Sequence, residues 1–466
     1  MSKFIKHLEA IGVHGRFDIG LSFKDGINII HGSNGTGKTT LLHILANAVN
    51  GDFERFVHLK FNNLTITLDD DTSIYLEQDC MGDLEDTKTT IWINKNRNPD
   101  PIVSYQFRDL LEKEKEEEDR YRQLSLFDSL KESNITLEAT YFPAFRTMIE
   151  AWATLDENDI RGFFRRSPNF RKILRSATRS TDLARTLFGQ FVPKLEYPSP
   201  LEIEERINSE LIEAQLKIAS IDRDLLSDAF VESFKAISQS QEIENNLEEP
   251  DEIIEKIKVI TESLQNLPFQ INVNMPNDVY ERLRKQLNSF QLEPESENIA
   301  KRVLSVYKNS LQKRLDEQTD AYSSIETYLE SVNEFLERKK LEIHATFHPR
   351  RPQLGVKIGD EKSIDSLQVL SSGERQIVGL IYAASHMTNG RVVLIDEPEI
   401  SLHIDWQRKL LPEMMKQLGD KQLIICTHSP IVASQYRDRM IELELKPTSN
   451  PNLGHQVMNM EREYIM

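Results

Sequence analysis

The amino-acid sequence predicts an α/β fold with a mixed sheet that is interrupted by an α-helical, coiled-coil-like insertion. Apolar strand patterns near both ends of the 466-residue chain alternate with helix patterns, as expected of parallel βαβ units. Between them the pattern becomes helical and polar. We therefore assign residues 1–145 and 341–445 to one head domain, residues 146–340 to a helical arm, and residues 446–466 to a C-terminal tail.

The strand assignments rest on short apolar or alternating runs. Ile27–His31 is an apolar run directly before glycines, which is typical of a buried strand that leads into a turn. Residues 64–68 alternate polar and apolar side chains like a strand with one exposed face. We predict further strands at 137–145, 341–347, 354–359, 391–398 and 422–426, the second and third of which form a hairpin.

Two long helices are predicted in the arm, because apolar residues recur there at spacings of three and four. One apolar seam comprises Ile207, Leu211, Ala214, Ile218, Ile221 and Leu225. The other comprises Leu311, Leu315, Tyr322, Ile325, Leu329, Val332 and Leu336, with the polar Gln318 inside it. We expect the two helices to pack antiparallel. A helical domain without coiled-coil character is the alternative.

Composition and charge narrow the class of protein. The net charge of −18 repels phosphate backbones, so nucleic-acid binding would require a local basic patch. Cys80 and Cys426 are too few for a disulfide framework or a zinc site. No apolar run approaches the roughly 18 residues of a membrane span, and the N-terminus does not resemble a signal peptide. We therefore expect a cytoplasmic protein that does not enter a membrane.

The strongest motif is a glycine-rich loop between the strand at Ile27–His31 and a helix pattern. It fits G-x-x-x-x-G-K-[ST], in which backbone N–H groups and the helix N-terminus surround phosphates. Lys38 is expected to reach the β- and γ-phosphates of a nucleotide, and Thr39 to bind Mg²⁺. The predicted nucleotide-binding residues of this loop are Gly32, Ser33, Asn34, Gly35, Thr36, Gly37, Lys38, Thr39 and Thr40.

A pair of carboxylates ends the apolar run at 392–395. Ending a buried strand with Asp396 and Glu397 is costly unless these groups meet something cationic. Asp396 at the strand tip is therefore a predicted ligand of Mg²⁺. Glu397 is the predicted catalytic residue, because it can polarise a water that attacks the γ-phosphate.

Two further segments complete the predicted site. Residues 370–374, Leu-Ser-Ser-Gly-Glu, precede a helix pattern and predict a second anion site through Ser371 and Gly373. Considered alone, this segment is more typical of an ordinary serine N-cap. His428 follows the predicted strand at 422–426, where ligands meet open α/β sheets, and could donate to the γ-phosphate.

The order of these motifs resembles the ABC-type ATPase heads of the SMC, RecF-like and OLD groups, over about residues 1–145 and 341–440. In the resemblance, the glycine-rich loop is Walker A, 370–374 is the ABC signature, 392–399 is Walker B, and Ser401–His403 is the D-loop. It implies an ATP hydrolase that uses Mg²⁺, with Glu397 as catalytic carboxylate and His428 as switch histidine.

The same resemblance implies a head-to-head homodimer, and leaves open a higher oligomer of dimers. Lys38 of one subunit and Ser371 of the other would then hold the same ATP. Gln78 and a stretch at 141–146 are candidates for the Q-loop, and Arg16 resembles an N-terminal arginine that approaches the nucleotide.

More narrowly, the chain resembles ATPase subunits of anti-phage systems of the Septu (PtuA) type, with the PARIS type as an alternative. This implies antiviral defence in which the ATPase regulates a separately encoded nuclease of the HNH or Toprim type. The alternative function is a DNA repair or recombination ATPase that clamps DNA directly. A scaffold that binds ATP but turns it over little is a third interpretation.

A basic patch stands out in this acidic chain. Residues 161–180 contain seven basic and no acidic residues, with three phenylalanines interleaved. Arginines beside aromatic rings suit nucleic-acid binding and also a protein interface. Three interpretations follow: a contact within the protein or its oligomer, a partner protein, or nucleic acid.

Overall fold

The structure is a computed structural model. It describes residues 3–79, 87–94, 100–106, 137–145, 179–195, 198–238, 248–266, 278–289, 297–345, 352–360, 364–385 and 391–448. The chain divides into two compact units, one formed by Met1–Ser199 with Ser372–Met466 and the other by Pro200–Ser371.

Strands and helices are numbered in chain order. Within the described residues the strands are β1 (Ile5–Val13), β2 (Phe17–Ser22), β3 (Ile27–His31), β4 (Asn63–Leu68), β5 (Ser73–Asp79), β6 (Lys88–Ile93), β7 (Val103–Gln106), β8 (Ala139–Phe142), β9 (Lys339–Ala345), β10 (Pro352–Ile358), β11 (Ile364–Asp365), β12 (Val392–Asp396), β13 (Gln422–Cys426), β14 (Met440–Glu442) and β15 (Lys446–Pro447). The α-helices are α1 (Lys38–Val49), α2 (Arg179–Phe188), α3 (Pro200–Ser238), α4 (Pro250–Asn266), α5 (Asp278–Asn288), α6 (Glu297–Asn333), α7 (Ser372–Ser385) and α8 (Ile404–Leu418).

The parallel sheet of the first unit positions the candidate site. Its described strands are ordered β14-β3-β13-β12-β8, and every neighbouring pair is parallel. All residues of β12 and β13 are buried, which explains their apolar sequences. Because the strands are parallel, the carboxyl ends of β3, β12 and β13 meet at one edge, where open α/β sheets bind ligands.

The other described sheet of this unit is antiparallel, in the order β15-β2-β1-β4-β5-β6-β7. Burial alternates from one residue to the next along a strand of this sheet. In β4, Leu64, Ile66 and Leu68 are buried and the residues between them are half-buried. One hydrophobic core joins these side chains to Leu45 of α1 and Leu394 of β12. The mixed α/β character predicted from the sequence is therefore confirmed.

The second unit contains the predicted pair of long helices, α3 and α6. Lys217 pairs with Glu317 and Asp222 with Arg314, so residue numbers rise along one helix as they fall along the other. The helices are antiparallel, as expected. Their seams are buried at most predicted positions: Ile207, Leu211, Ala214, Leu225, Leu311, Tyr322, Ile325, Leu329, Val332 and Leu336.

The second unit also contains a small sheet. Within the described residues it has the antiparallel order β11-β10-β9, which confirms the hairpin predicted from 341–359. The Leu354 N–H of β10 donates to Asn208 Oδ1 of α3 at 2.7 Å. These strands are therefore packed with the helices of the second unit, whereas their sequence pattern predicts that residues from 341 onward belong to the head. The first residues of the assigned tail, Lys446 and Pro447, form β15 on β2.

The helices differ from membrane spans. Across the described residues, none is both long enough and apolar enough to cross a bilayer.

Candidate active site

The glycine-rich loop joins β3 to α1. Gly35 and Gly37 adopt φ angles of 79° and 77°, a left-handed conformation that favours glycine. The loop folds back on Lys38, whose Nζ donates to Gly32 O at 3.0 Å and to Ser33 O at 2.9 Å. Lys38 is buried, so its positive charge is held at the loop rather than in solvent. An anion that enters the loop would find this charge and the N-terminus of α1 together.

The hydroxyl of Thr39 and the carboxylate of Asp396 meet beside this loop. Thr39 Oγ1, in the first turn of α1, donates to Asp396 Oδ2 at the end of β12 over 2.7 Å. Asp396 is 2% exposed. Mg²⁺ prefers oxygen ligands and binds through one or two protein groups together with substrate phosphates and water. These two residues therefore fit the predicted metal position.

Glu397 and His428 lie opposite each other at the same sheet edge. His428 Nε2 is 3.5 Å from Glu397 Oε1, and both side chains are about one-third exposed. Glu397 has a φ of 45°, a conformation that non-glycine residues rarely adopt. Its N–H donates to Cys426 O at 2.8 Å, which holds the strained residue at the end of β13. Strain of this kind is common at functional sites.

A cavity of about 440 Å³ joins these groups. Eight predicted residues line it: Asn34, Gly35, Gly37, Lys38, Thr39, Thr40, Glu397 and His428. The structure thus brings the predicted phosphate loop and the predicted catalytic pair to one space.

Residues outside the predicted motifs also line the cavity. Val13, His14, Phe17, Ile19 and Leu445 complete its lining, so the hairpin between β1 and β2 forms one side. His14 Nε2 lies 3.4 Å from Thr40 Oγ1. Burial, followed by the nearby Arg16 charge, lowers the pKa of His14 and favours its neutral form. The only sequence signal for this wall was the resemblance at Arg16, which is exposed and is not among the lining residues.

The signature segment begins α7. Ser371 is exposed and directly precedes the helix, and Gly373 lies in its first turn. A Cβ added at Gly373 would lie 3.2 Å from Ser401 O. One turn further on, Gln376 is fully buried and its Nε2 donates to Pro398 O at 2.9 Å. The start of α7 is therefore packed on the segment that follows Glu397. Gly373 is not among the residues that line the cavity.

The side chain of Gln78, a Q-loop candidate, is held by hydrogen bonds to the backbone. Its Nε2 donates to Leu59 O at 3.0 Å, and its Oε1 accepts from the Phe61 N–H at 3.1 Å. The side chain is buried and does not line the cavity. The basic patch at 161–180 lies outside the described residues up to 178, and its last two residues open α2.

Comparison with known proteins identifies the family. A family model described as an AAA ATPase domain matches residues 16–433. The chain belongs to this ATPase family. An ATPase domain therefore makes up most of the chain.

The curated relatives that match are only partly covered. The Retron Ec83 probable ATPase of Escherichia coli is 27% identical over 31% of this chain and 29% of its own length. The Retron Vc95 probable ATPase of Vibrio cholerae serotype O1 biovar El Tor is 30% identical over 22% of this chain and 24% of its own length. A putative hemin import ATP-binding protein, HrtA of Staphylococcus aureus, is 38% identical over 16% of this chain and 34% of its own length. The chain thus matches less than a third of the length of either retron protein.

Solved structures of Smc heads also match. One is the Smc head domain with an extended coiled coil, bound to the C-terminal domain of ScpA, from Pyrococcus furiosus. It has a TM-score of 0.40 and 13% identity, and the match covers 100% of both chains. A second, an Smc head bound to the C-winged helix domain of ScpA, has a TM-score of 0.40 and 11% identity over 95% of this chain and 97% of that one.

Proposed function

We propose that this ATPase hydrolyses ATP in the cavity beside the glycine-rich loop, with Glu397 as the general base. The observation that carries the proposal is the position of the Glu397 and His428 side chains. They face each other at 3.5 Å and line the same cavity as Lys38 and Thr39. A carboxylate next to a phosphate-binding loop is the group that γ-phosphate hydrolysis requires.

Each residue of the site has one role in the proposed reaction. Lys38 exchanges its two carbonyl partners for the β- and γ-phosphate oxygens of ATP. Thr39 and Asp396 would hold Mg²⁺, which neutralises phosphate charge when it is bound. Glu397 accepts a proton from a water whose oxygen attacks the γ-phosphorus, and the bond from that phosphorus to the β–γ bridging oxygen breaks. His428 donates a hydrogen bond to the γ-phosphate.

A homodimer completes the proposed site. Gly373 lies in the same compact unit as the glycine-rich loop but is not among the residues that line the cavity. We propose that Ser371, Gly373 and the N-terminus of α7 cap the ATP of a second copy. ATP binding would then close the dimer and hydrolysis would open it, because the γ-phosphate is contacted from both sides only in the closed state.

We further propose that the protein acts in antiviral defence by regulating a nuclease encoded separately. Support comes from the partial similarity to two ATPases named as retron components. The long antiparallel pair α3 and α6 offers an element through which the nucleotide state could reach a partner. The proposed partner is a nuclease of the HNH or Toprim type, the class that the resemblance to anti-phage ATPase subunits implies.

Turnover and assembly test the site. Wild-type protein should hydrolyse ATP with Mg²⁺, Lys38→Ala should lose nucleotide binding, and Glu397→Gln should bind ATP while turnover falls by about 100-fold or more. Light scattering with ATP should show stable dimers of Glu397→Gln. Adding Ser371→Arg to that variant should abolish the dimers. Normal hydrolysis by Lys38→Ala would refute the site assignment.

The defence role requires a cellular test. Cells that carry the chain with its neighbouring gene should resist phage, and both Lys38→Ala and removal of the neighbouring gene should restore plaques. Hydrolysis stimulated by duplex DNA in the purified protein alone, without any effect on infection, would instead favour the DNA repair alternative.

A further inference from the structure

A second glutamate in the Walker B segment holds the loop that carries His428. Glu399 lies two residues after Glu397. One of its oxygens, Oε1, accepts three hydrogen bonds: from Thr427 Oγ1 at 2.8 Å, from the His428 N–H at 2.8 Å and from the Ser429 N–H at 3.0 Å. The backbone on both sides of His428 is thereby fixed to Glu399.

The loop is also fixed from its other side. Ser429 Oγ donates to Gln407 Oε1 at 2.8 Å, and Gln407 Nε2 donates to Leu402 O at 3.1 Å. The Thr427 N–H donates to Ile30 O at 3.0 Å. The bonds of Ser429 and Thr427 hold the residues on either side of His428. The imidazole itself projects toward the cavity, where only two side-chain torsions separate it from the fixed backbone.

The two members of the proposed catalytic pair are held reciprocally. The Glu397 N–H is bound by Cys426 O, which belongs to the strand that leads to His428. The His428 N–H is bound by Glu399, which belongs to the segment that follows Glu397. The 3.5 Å separation of Glu397 Oε1 and His428 Nε2 therefore depends on both contacts.

We propose that Glu399 is a positioning residue, which sets the place of His428 relative to Glu397 and the γ-phosphate of ATP. Glu399 is not among the residues that line the cavity, so the proposed role requires no contact with the nucleotide. The proposal rests on the proposed roles of Glu397 and His428. It assigns to Glu399 an effect on turnover that is transmitted through the His428 loop alone.

Steady-state hydrolysis by the full chain tests this assignment. Glu399→Ala should lower kcat by about 10- to 100-fold, because a small displacement of a reacting group costs that much. KM for ATP with Mg²⁺ should stay within about twofold, since the phosphate contacts are untouched. Glu399→Gln keeps an acceptor oxygen and should retain most of the activity. Glu442→Gln, on the exposed end of β14, is the matched control and should behave as wild type.

A double-mutant cycle with His428→Ala decides between positioning and general destabilisation. If Glu399 acts through His428, Glu399→Ala should change kcat by less than about twofold in the His428→Ala background. An equal loss in both backgrounds would overturn the proposal, as would a loss confined to KM. If Glu399→Ala does not fold, Glu399→Asp, whose shorter side chain withdraws the carboxylate from the His428 loop, provides the same comparison in the two backgrounds.

The same measurements separate this proposal from the proposed function. Full activity of His428→Ala and Glu397→Gln would refute the catalytic pair itself. Low activity of those two variants with wild-type kcat in Glu399→Ala would refute only the role of Glu399.

Discussion

Thr39 donates a 2.7 Å hydrogen bond to Asp396 although 357 positions separate the two residues in the chain. The bond joins the first turn of α1 to the end of β12. It therefore links the glycine-rich loop, near the start of the chain, to the carboxylates that follow the helical insertion. The proposed Mg²⁺ site depends on this junction.

Replacing Thr39 by Val should abolish metal-dependent turnover. Val has nearly the same shape but lacks the hydroxyl, so the loss reports on the oxygen and not on packing. We expect hydrolysis with Mg²⁺ to fall by about 100-fold or more, the scale for losing one group that stabilises charge in the transition state. Thr39→Ser keeps the hydroxyl and should stay within a few-fold of wild type. Equal activities of the two variants, measured by phosphate release, would contradict the assignment.

Glu397 illustrates a conflict between activity and stability. Its φ of 45° is strained for a residue with a Cβ and unstrained for glycine. Glu397→Gly should therefore raise the free energy of unfolding by about 1 kcal/mol while it removes hydrolysis. Glu397→Ala removes the same carboxylate and keeps the strain, so it should be inactive without being more stable. Denaturant unfolding of both variants measures the difference, and equal stabilities would show that the strain is negligible.

Gly373 should not tolerate a methyl group. A Cβ there would lie 3.2 Å from Ser401 O, so the segment after Glu397 would have to shift. We expect Gly373→Ala to cost about 1 kcal/mol of stability, as overpacking usually does, and to lower ATP turnover. Gly20→Ala is the control, because a Cβ at Gly20 has no neighbour within 4 Å. Equal melting temperatures and equal turnover for the two variants would show that the segment at Ser401 moves aside at little cost.

Asp222 and Arg314 form a largely buried pair in the helical insertion. Arg314 Nε is 2.8 Å from Asp222 Oδ1, and the two side chains are only 12% and 16% exposed. Burial raises the pKa of Asp222 more than Arg314 lowers it, which indicates that desolvation outweighs attraction. Asp222→Ala should destabilise the protein by about 3 kcal/mol because it leaves a buried guanidinium. The apolar double variant Asp222→Leu with Arg314→Met should recover most of that loss in a thermal melt.

Glu210 on α3 should make stability depend on pH. Burial, followed by repulsion from Glu213, raises its pKa to about 7. In the unfolded chain the group ionises near its ordinary pKa of 4.5. The stabilisation is therefore complete at pH values below 4.5 and is lost as the pH rises through about 7. Glu210→Gln should match wild type at pH 4 and melt at a higher temperature at pH 8. A constant difference between the two proteins at both pH values would contradict the shift.

The phosphate loop and the carboxylate pair could be predicted because their chemistry is local. Gly35, Gly37 and Lys38 are adjacent in sequence, and the loop geometry follows from their order. Asp396 and Glu397 end an apolar run, which signals a charged pair at a strand tip. The seams of α3 and α6 were visible for a related reason, since helical spacing repeats along the sequence regardless of what it packs against.

The missed residues depend on tertiary packing. His14 and Phe17 reach the cavity only because β1 and β2 turn beside the glycine-rich loop, and no sequence spacing encodes that approach. Gln78 had the residue type expected of a Q-loop, but its neighbours in space engage both ends of its amide. The second compact unit likewise includes β9 and β10, whose strand pattern does not reveal that they pack with α3.

The parallel sheet has a consequence for synthesis on the ribosome. β8 pairs with β12, and β3 with β13, so strands made early await partners made after the helical insertion. About 250 residues separate β8 from its neighbour, and translation at about 5–20 residues per second makes that interval roughly 10 to 50 seconds. During this time the nascent chain exposes apolar strands that cannot yet pair. A chaperone that shields them should raise the yield of native protein.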